Sequence, residues 1–182
     1  MHISQFNIYT FIDSFDENKI SNFSSNHSII YRNYEHKIDL KTILQIKKVC
    51  KKNKIKFYLA NDIKLALQAN LDGVYIPSFN KEYYLKKNLK NKNFILAGSA
   101  HNIKELKIKE RQNVKLVFIS PIFKVKKKNS FLSIIKFNNL SKISKKPLIA
   151  LGGINPKNVN QLNMTRAFGF SGISHIKKII NN

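Results

Sequence analysis

The chain has 182 residues, of which 43% are hydrophobic, and it carries 33 lysines and arginines against 10 aspartates and glutamates, a formal net charge of +23 at pH 7. This size and apolar content exclude a disordered chain, and no apolar run reaches the ~18 residues that a membrane span needs. Because the lysines are spread along the chain and no basic-helix or RNA-binding motif occurs, we expect phosphorylated small molecules as partners, with no specific nucleic acid and no membrane.

The N-terminal segment MHISQFNIYTFIDSFDE lacks a basic region, and Asp13 and Asp16 interrupt its apolar part, which argues against a signal peptide. Cys50 is the single cysteine and excludes an intrachain disulfide. Its place in a helix-like pattern indicates a packed thiol. These features favour a cytoplasmic protein.

Eight short apolar segments follow one another along the chain, and helix-like segments lie between them. We predict strands at 8–13, 28–34, 56–62, 72–78, 94–101, 115–123, 147–154 and 169–174. We predict amphipathic helices at 38–52, 63–71, 83–91, 102–112 and 156–164. Alternation of this kind indicates parallel βαβ units. Eight of them predict one domain over 1–182, a compact (β/α)₈ TIM barrel, with an open doubly wound sheet as the alternative.

Polar residues stand at or near the carboxyl ends of these strands, where a barrel builds its site. They are Arg32, Asn61, Asp62, Ser99, His101 and, beyond the sixth strand, Lys128. An arginine can grip a phosphate bidentately and a lysine acts on it as a point charge, and Asp62 could hold Mg²⁺ together with substrate phosphate oxygens. Three of these residues have a structural alternative: Asp62 as a helix cap, His101 as a residue packed at a helix start, and Lys128 as a solvated lysine.

The segment PLIALGGINPKN at 147–158 ends a predicted strand on two glycines, Gly152 and Gly153. Asn155 and Pro156 after them are typical of a helix cap and a first helical position. Unpaired N–H groups at such a turn suit a phosphate, and Ser174 at the end of the last strand could add a hydroxyl. The alternative is a simple tight turn.

These segments, in this order, resemble the thiamine phosphate synthase and thiazole tautomerase (TenI-like) family. LANDIKLALQANLDGVYIP resembles its strand–helix–strand stretch, AGSAH its Ser-x-His segment, FISPIFKVKKK its Pro-Ile-Phe loop, and IALGGI with FGFSGIS its phosphate-binding end. The resemblance implies a transferase of thiamine biosynthesis, which joins hydroxymethylpyrimidine diphosphate to a thiazole phosphate, forms thiamine phosphate and releases pyrophosphate.

The resemblance also implies a role for most of the residues at the strand ends. It assigns the diphosphate to Arg32 and Lys128, further substrate contacts to Asn61 and Ser99, Mg²⁺ to Asp62, and the thiazole phosphate to Gly152, Gly153 and Ser174. We add His101 to the predicted substrate contacts.

The chain departs from the family pattern at the cation and metal positions. A glutamine two residues before the arginine and a lysine two residues after it are replaced by Ile30 and Tyr34, and the second Mg²⁺ aspartate by Asn80. We therefore predict a divergent thiamine phosphate synthase with an incomplete Mg²⁺ site. A metal-independent TenI-like tautomerase, with His101 as acid and base, and a non-catalytic binder of phosphorylated ligands are the alternatives. The sequence leaves a homo-oligomer open.

Overall fold

A computed structural model describes residues 6–35, 38–83, 93–126 and 130–172. Eight parallel strands pair with their neighbours along the chain, and β8 pairs with β1, so the sheet closes into a barrel. The strands are β1 (Asn7–Ile12), β2 (His27–Tyr31), β3 (Lys56–Ala60), β4 (Gly73–Ile76), β5 (Ile95–Ala100), β6 (Leu116–Ile119), β7 (Leu148–Leu151) and β8 (Gly169–Gly172). The predicted (β/α)₈ barrel is confirmed, and the open sheet is wrong.

Helices connect the strands on the outside of the barrel. They are α1 (Glu17–Ser21), α2 (Leu40–Lys52), α3 (Ile63–Gln68), α4 (Ile103–Arg111) and α5 (Ser133–Ile143), with a 3₁₀ helix at Val159–Met164. The predictions for α2, α3 and α4 are confirmed, whereas α1 and α5 were not predicted. The predicted helix at 83–91 lies, apart from its first residue, outside the described residues. Among the helices that the structure describes, none is long and apolar enough to cross a membrane.

The helices that follow β2, β3 and β5 begin in the same way, with an acidic or amide side chain as N-cap. The cap oxygen accepts a hydrogen bond from the backbone N–H three residues on, and the pairs are Asp39 with Thr42 (2.7 Å), Asp62 with Leu65 (2.9 Å) and Asn102 with Glu105 (3.0 Å). Because each cap follows a strand, these polar groups gather at the carboxyl end of the barrel.

The segment after β7 differs from its prediction, because an α-helix does not begin at Pro156. Asn155 Oδ1 accepts from the N–H of Lys157 at 2.9 Å, and Asn158 Oδ1 accepts from the N–H of Asn155 at 2.8 Å. These local bonds offer the backbone an alternative to helical hydrogen bonds. A turn therefore comes first, and the 3₁₀ helix after it buries Val159 and Leu162, three residues apart, which matches its period.

Large aromatic side chains fill the interior of the barrel. Phe118 meets Tyr9, Phe11 and Tyr75 edge to face, with ring centroids at 5.0, 6.0 and 5.4 Å, and Phe11 meets Tyr75 at 5.2 Å. All four are at most 5% exposed. We call Phe11, Tyr75 and Phe118 the aromatic floor, since they close the barrel beneath the ends of β1, β4 and β6. Burial raises the pKa of Tyr75 to about 12, so its phenol is neutral at physiological pH.

We expect Phe118→Ala to lower the free energy of unfolding by about 3–5 kcal/mol, because it opens a cavity at the centre of three ring contacts. Phe131→Ala is the matched control, because Phe131 is 43% exposed, and it should cost less than about 1 kcal/mol. Urea unfolding followed by circular dichroism measures both. Equal losses in the two variants would contradict this account of the core.

Candidate functional site

The parallel order of the strands brings the predicted residues to one end of the barrel. Arg32 follows β2, Asn61 and Asp62 follow β3, and Gly152 follows β7. Ser99 is the next-to-last residue of β5, with His101 directly after that strand. Strand β7 lies four positions from β3 in a closed ring of eight, so the diglycine faces the Asn61–Asp62 pair across the mouth. Lys128 and Ser174 lie outside the described residues.

Arg32 lies over the aromatic floor. Its guanidinium carbon is 4.6 Å from the centroid of the Phe11 ring, within the range of a cation–π contact. Its backbone N–H donates to the carbonyl of Ile12 at 2.8 Å, which continues the pairing of β1 with β2. The floor thus holds the cation at the mouth, where it can meet an anion.

Tyr34 and Phe79 form an exposed aromatic pair beside this arginine. They are 54% and 64% exposed, and their ring centroids lie 6.0 Å apart. Burial against the protein raises the pKa of Tyr34, an effect that the charge of Arg32 opposes. The rings are inclined by 67° to each other, and Tyr34 stands where the resemblance expects a lysine.

Asn61, Asp62 and Asn80 meet at the end of β3. Asn61 has a left-handed backbone (φ 62°), and its side-chain oxygen accepts from Nδ2 of Asn80 at 2.8 Å. Asp62 caps α3 through Oδ1, so its structural alternative is observed, and no hydrogen bond within the described ranges uses Oδ2. The structure therefore places Asn80, the position of the missing acid, next to the Asn61–Asp62 pair.

Asn61, Asp62 and Asn80 supply only one carboxylate among them as a ligand for Mg²⁺. The residues that the structure describes contain no cluster of three His, Cys, Asp or Glu side chains that could hold a metal ion. Mg²⁺ often binds through one or two carboxylates and substrate phosphates, and Asp62 Oδ2 can be one such ligand. The residues fit a Mg²⁺ ion that arrives with a diphosphate rather than a preformed metal centre.

Ser99 and His101 occupy different layers of the site. Ser99 is 4% exposed and hydrogen-bonds to the phenol of Tyr75, so it lies at the level of the aromatic floor and contacts it. His101 is held at the start of α4, where Oε2 of Glu105 lies 2.9 Å from Nδ1 and accepts the backbone N–H at 2.8 Å. Burial acts to raise the pKa of Glu105, but the hydrogen bonds from His101 outweigh it and hold that pKa below its usual value. The ring of His101 is oriented, with Nε2 outside the pair.

Sequence reasoning missed Glu105. The signal was present in Asn102-x-x-Glu105, the spacing of a capping box, in which the acid at the third helical position turns back to the helix start. Here it reaches one residue further, to His101.

Gly152 and Gly153 have left-handed backbones, with φ of 91° and 75°. A Cβ on Gly153 would lie 2.5 Å from the carbonyl oxygen of Phe123, and one on Gly152 would lie 2.9 Å from Cβ of Pro121. The glycines are therefore needed for the turn and for the close approach of the loop after β6. No hydrogen bond in the described part of the chain takes up the N–H groups of Gly152, Gly153 and Ile154. Successive free N–H groups of this kind suit an anion.

Sequence reasoning also missed Lys109 and Gln112, on the inner face of α4 and just after it. Lys109 is fully buried, and its ammonium lies 2.7 Å from the carbonyl oxygen of Pro77 and 2.6 Å from that of Asn80. Burial lowers the pKa of Lys109 to about 8. The signal was the spacing of three residues from buried Leu106 to Lys109 and again from Lys109 to Gln112, since residues three apart are neighbours on a helix.

A cavity of about 510 Å³ lies at the other end of the barrel. Its lining comes from the end of α2 and from residues before or at the start of β3, β4 and β5, and includes Lys47, Lys51, Lys54, Lys56 and Asp72. Because these residues mark the amino ends of strands, the cavity is separate from the mouth that holds Arg32 and the diglycine.

Comparisons with known proteins agree with the sequence resemblance. Residues 24–176 match a family model described as thiamine monophosphate synthase. The chain is similar to the thiamine-phosphate synthases of Clostridium acetobutylicum (30% identity over 135 residues, 73% of this chain and 64% of that one) and Helicobacter pylori (29% over 141 residues, 75% and 63%). The matched region thus spans less than two thirds of either relative. The thiamine phosphate pyrophosphorylase of Pyrococcus furiosus has the same fold, with a TM-score of 0.76 at 16% identity over 96% of this chain and 88% of its own.

We expect Asp62→Ala to lower the free energy of unfolding by about 1 kcal/mol, because it removes the cap of α3, and Asp62→Asn to lower it much less, because asparagine caps as well. Asp13→Ala is the control, since that exposed aspartate does not cap a helix, and its stability should be unchanged. Thermal and urea unfolding measure all three. An Asn variant as unstable as the Ala variant would contradict the capping role.

Proposed function

Since the chain belongs to the thiamine monophosphate synthase family, we propose that it forms thiamine phosphate from hydroxymethylpyrimidine diphosphate and a thiazole phosphate, with release of pyrophosphate. The observation that carries the proposal is the pair of anion-binding devices on opposite sides of one mouth. Arg32 with Asn61 and Asp62 stands on one side, and the N–H groups of the diglycine turn, which no hydrogen bond among the described residues takes up, stand on the other. A reaction between two phosphorylated substrates needs both.

The diphosphate belongs on the side of β2 and β3. Arg32 meets its oxygens with two parallel N–H groups, and Lys128 is the second cation that we propose for it. As the bond between the pyrimidine methylene carbon and the diphosphate oxygen breaks, negative charge grows on the leaving group, and a fixed guanidinium stabilises it. Mg²⁺, when bound, neutralises further charge on the pyrophosphate, and Asp62 Oδ2 is the carboxylate oxygen that would hold it.

The thiazole phosphate belongs on the side of β7, on the N–H groups of Gly152, Gly153 and Ile154, with Ser174 as a proposed further donor. The thiazole nitrogen then attacks the methylene carbon, so one carbon–nitrogen bond forms as one carbon–oxygen bond breaks. The cationic pyrimidine that develops between the two sites lies above the aromatic floor. Because the floor residues are at most 5% exposed, water does not reach the reacting carbon from below, which limits hydrolysis.

A second candidate function rests on the oriented histidine. Glu105 holds Nδ1 of His101 at 2.9 Å, an arrangement that suits general acid–base catalysis by the other ring nitrogen. A thiazole tautomerase needs such a group and the phosphate turn, but no pyrophosphate-binding metal. Isomerisation of a thiazole carboxylate phosphate that persists in a chelator and is lost in His101→Gln would favour this function over the synthase.

We expect the purified protein to form thiamine phosphate from the two substrates in the presence of Mg²⁺, and Arg32→Ala to lower kcat/KM on the order of 100-fold, equivalent to about 2.7 kcal/mol. Arg111→Ala is the matched control, because Arg111 is exposed at the end of α4, and its activity should equal that of the wild type. Product is measured by chromatography after conversion to a fluorescent thiochrome.

The proposal is wrong if the folded protein yields no thiamine phosphate above a blank at any Mg²⁺ concentration. An equal loss in the Arg32 and Arg111 variants would instead place the effect in the general positive field and remove Arg32 from the site.

A further inference from the structure

A buried lysine that forms no ion pair among the described residues anchors the loop that follows β4. Lys109 is 0% exposed, and its aliphatic chain passes over β5 so closely that a Cβ on Gly98 would lie 2.9 Å from its Cδ. A buried ammonium is costly unless each of its protons meets an acceptor. The three acceptors are oxygens of Pro77 (2.7 Å), Asn80 (2.6 Å) and the Gln112 side chain (2.8 Å).

Gln112 completes the anchor from the same face. Its Nε2 donates to the carbonyl oxygens of Asn80 at 3.1 Å and Glu82 at 2.7 Å. Lys109 and Gln112 thus bind three carbonyls of the loop 77–82 from below. A role in core packing alone would be served as well or better by an apolar side chain of similar volume.

The anchored loop ends at the candidate site. The side chain of Asn80 donates to Oδ1 of Asn61 at 2.8 Å, and its own oxygen accepts from the N–H of Glu82 at 2.9 Å. Asn61, in its left-handed conformation, is followed directly by Asp62. A continuous series of hydrogen bonds therefore runs from the inside of α4, through the loop, to the side of the mouth where Arg32 lies.

We propose that Lys109 and Gln112 are positioning residues, which hold the loop 77–82 so that Asn80 fixes Asn61 and Asp62 for a bound diphosphate. The identity of the ligand rests on the proposed function, whereas the anchoring of the loop does not. The effect is one-sided, because the diglycine turn on β7 shares none of these contacts. This asymmetry separates a positioning role from a general loss of stability.

The test compares Lys109→Met, which keeps an unbranched side chain but removes the ammonium, with Lys104→Met, because Lys104 is an exposed lysine of the same helix. Calorimetry with Mg²⁺ measures the binding of inorganic pyrophosphate and, separately, of the thiazole phosphate. We expect Lys109→Met to weaken pyrophosphate binding at least tenfold and to leave thiazole phosphate binding within twofold of wild type, while Lys104→Met changes neither. Equal weakening of both ligands, or of neither, overturns the positioning role.

Amide hydrogen exchange tests the anchor without any ligand. The N–H groups of Asn80 and Glu82 are bonded within the loop, so both should exchange at least tenfold faster in Lys109→Met than in Lys104→Met, and unchanged exchange overturns the anchor. Should Lys109→Met fail to fold, Asn80→Ala removes the last link and must give the same one-sided loss of pyrophosphate binding. A wild-type protein that binds no pyrophosphate overturns the ligand assignment and the proposed function, and the exchange result still decides the anchor.

Discussion

Closure of the parallel sheet is the constraint on which the candidate site depends. Each strand hydrogen-bonds to both neighbours, and the pairing of β8 with β1 leaves no edge. Since all strands run the same way, every segment that follows a strand emerges at one end. Arg32, Asp62 and Gly152 are 30 and 90 residues apart in sequence, yet they share that end because each comes directly after a strand or one residue beyond.

Much of the barrel fold could be predicted from the sequence. Each strand shows as a local apolar run, and the order of strands and helices along the chain decides the topology. The apolar runs predicted all eight strands, and the polar residue after each run predicted where Arg32 and Asp62 would lie. The sequence did not predict the roles of Glu105, Lys109 and Gln112, because these roles depend on contacts with residues that are distant in sequence or outside the helical pattern. Nothing in the sequence distinguishes Lys109 in a chain with 33 lysines and arginines, and its burial is explained by the loop carbonyls and the Gln112 side chain that accept from it. The prediction of an α-helix from Pro156 was wrong for a different reason. Asparagine side chains there bond to the local backbone and compete with helical hydrogen bonds.

The two sides of the mouth present their polar N–H groups by different means. On the side of β7, the donors are backbone N–H groups, whose direction is set by two left-handed glycines. On the side of β2 and β3, the donors are side chains, and their placement relies on support from below: the Phe11 ring under Arg32, and the loop 77–82 under Asn80.

The filled interior of the barrel restricts the path by which a ligand can reach the mouth and leave it. Among the described residues, Tyr9, Phe11, Tyr75 and Phe118 meet edge to face across the barrel and fill the space between its two ends. Whatever enters the mouth must leave through the same opening. A change at the other end of the barrel is therefore expected to leave the path of a ligand to and from the mouth unaltered.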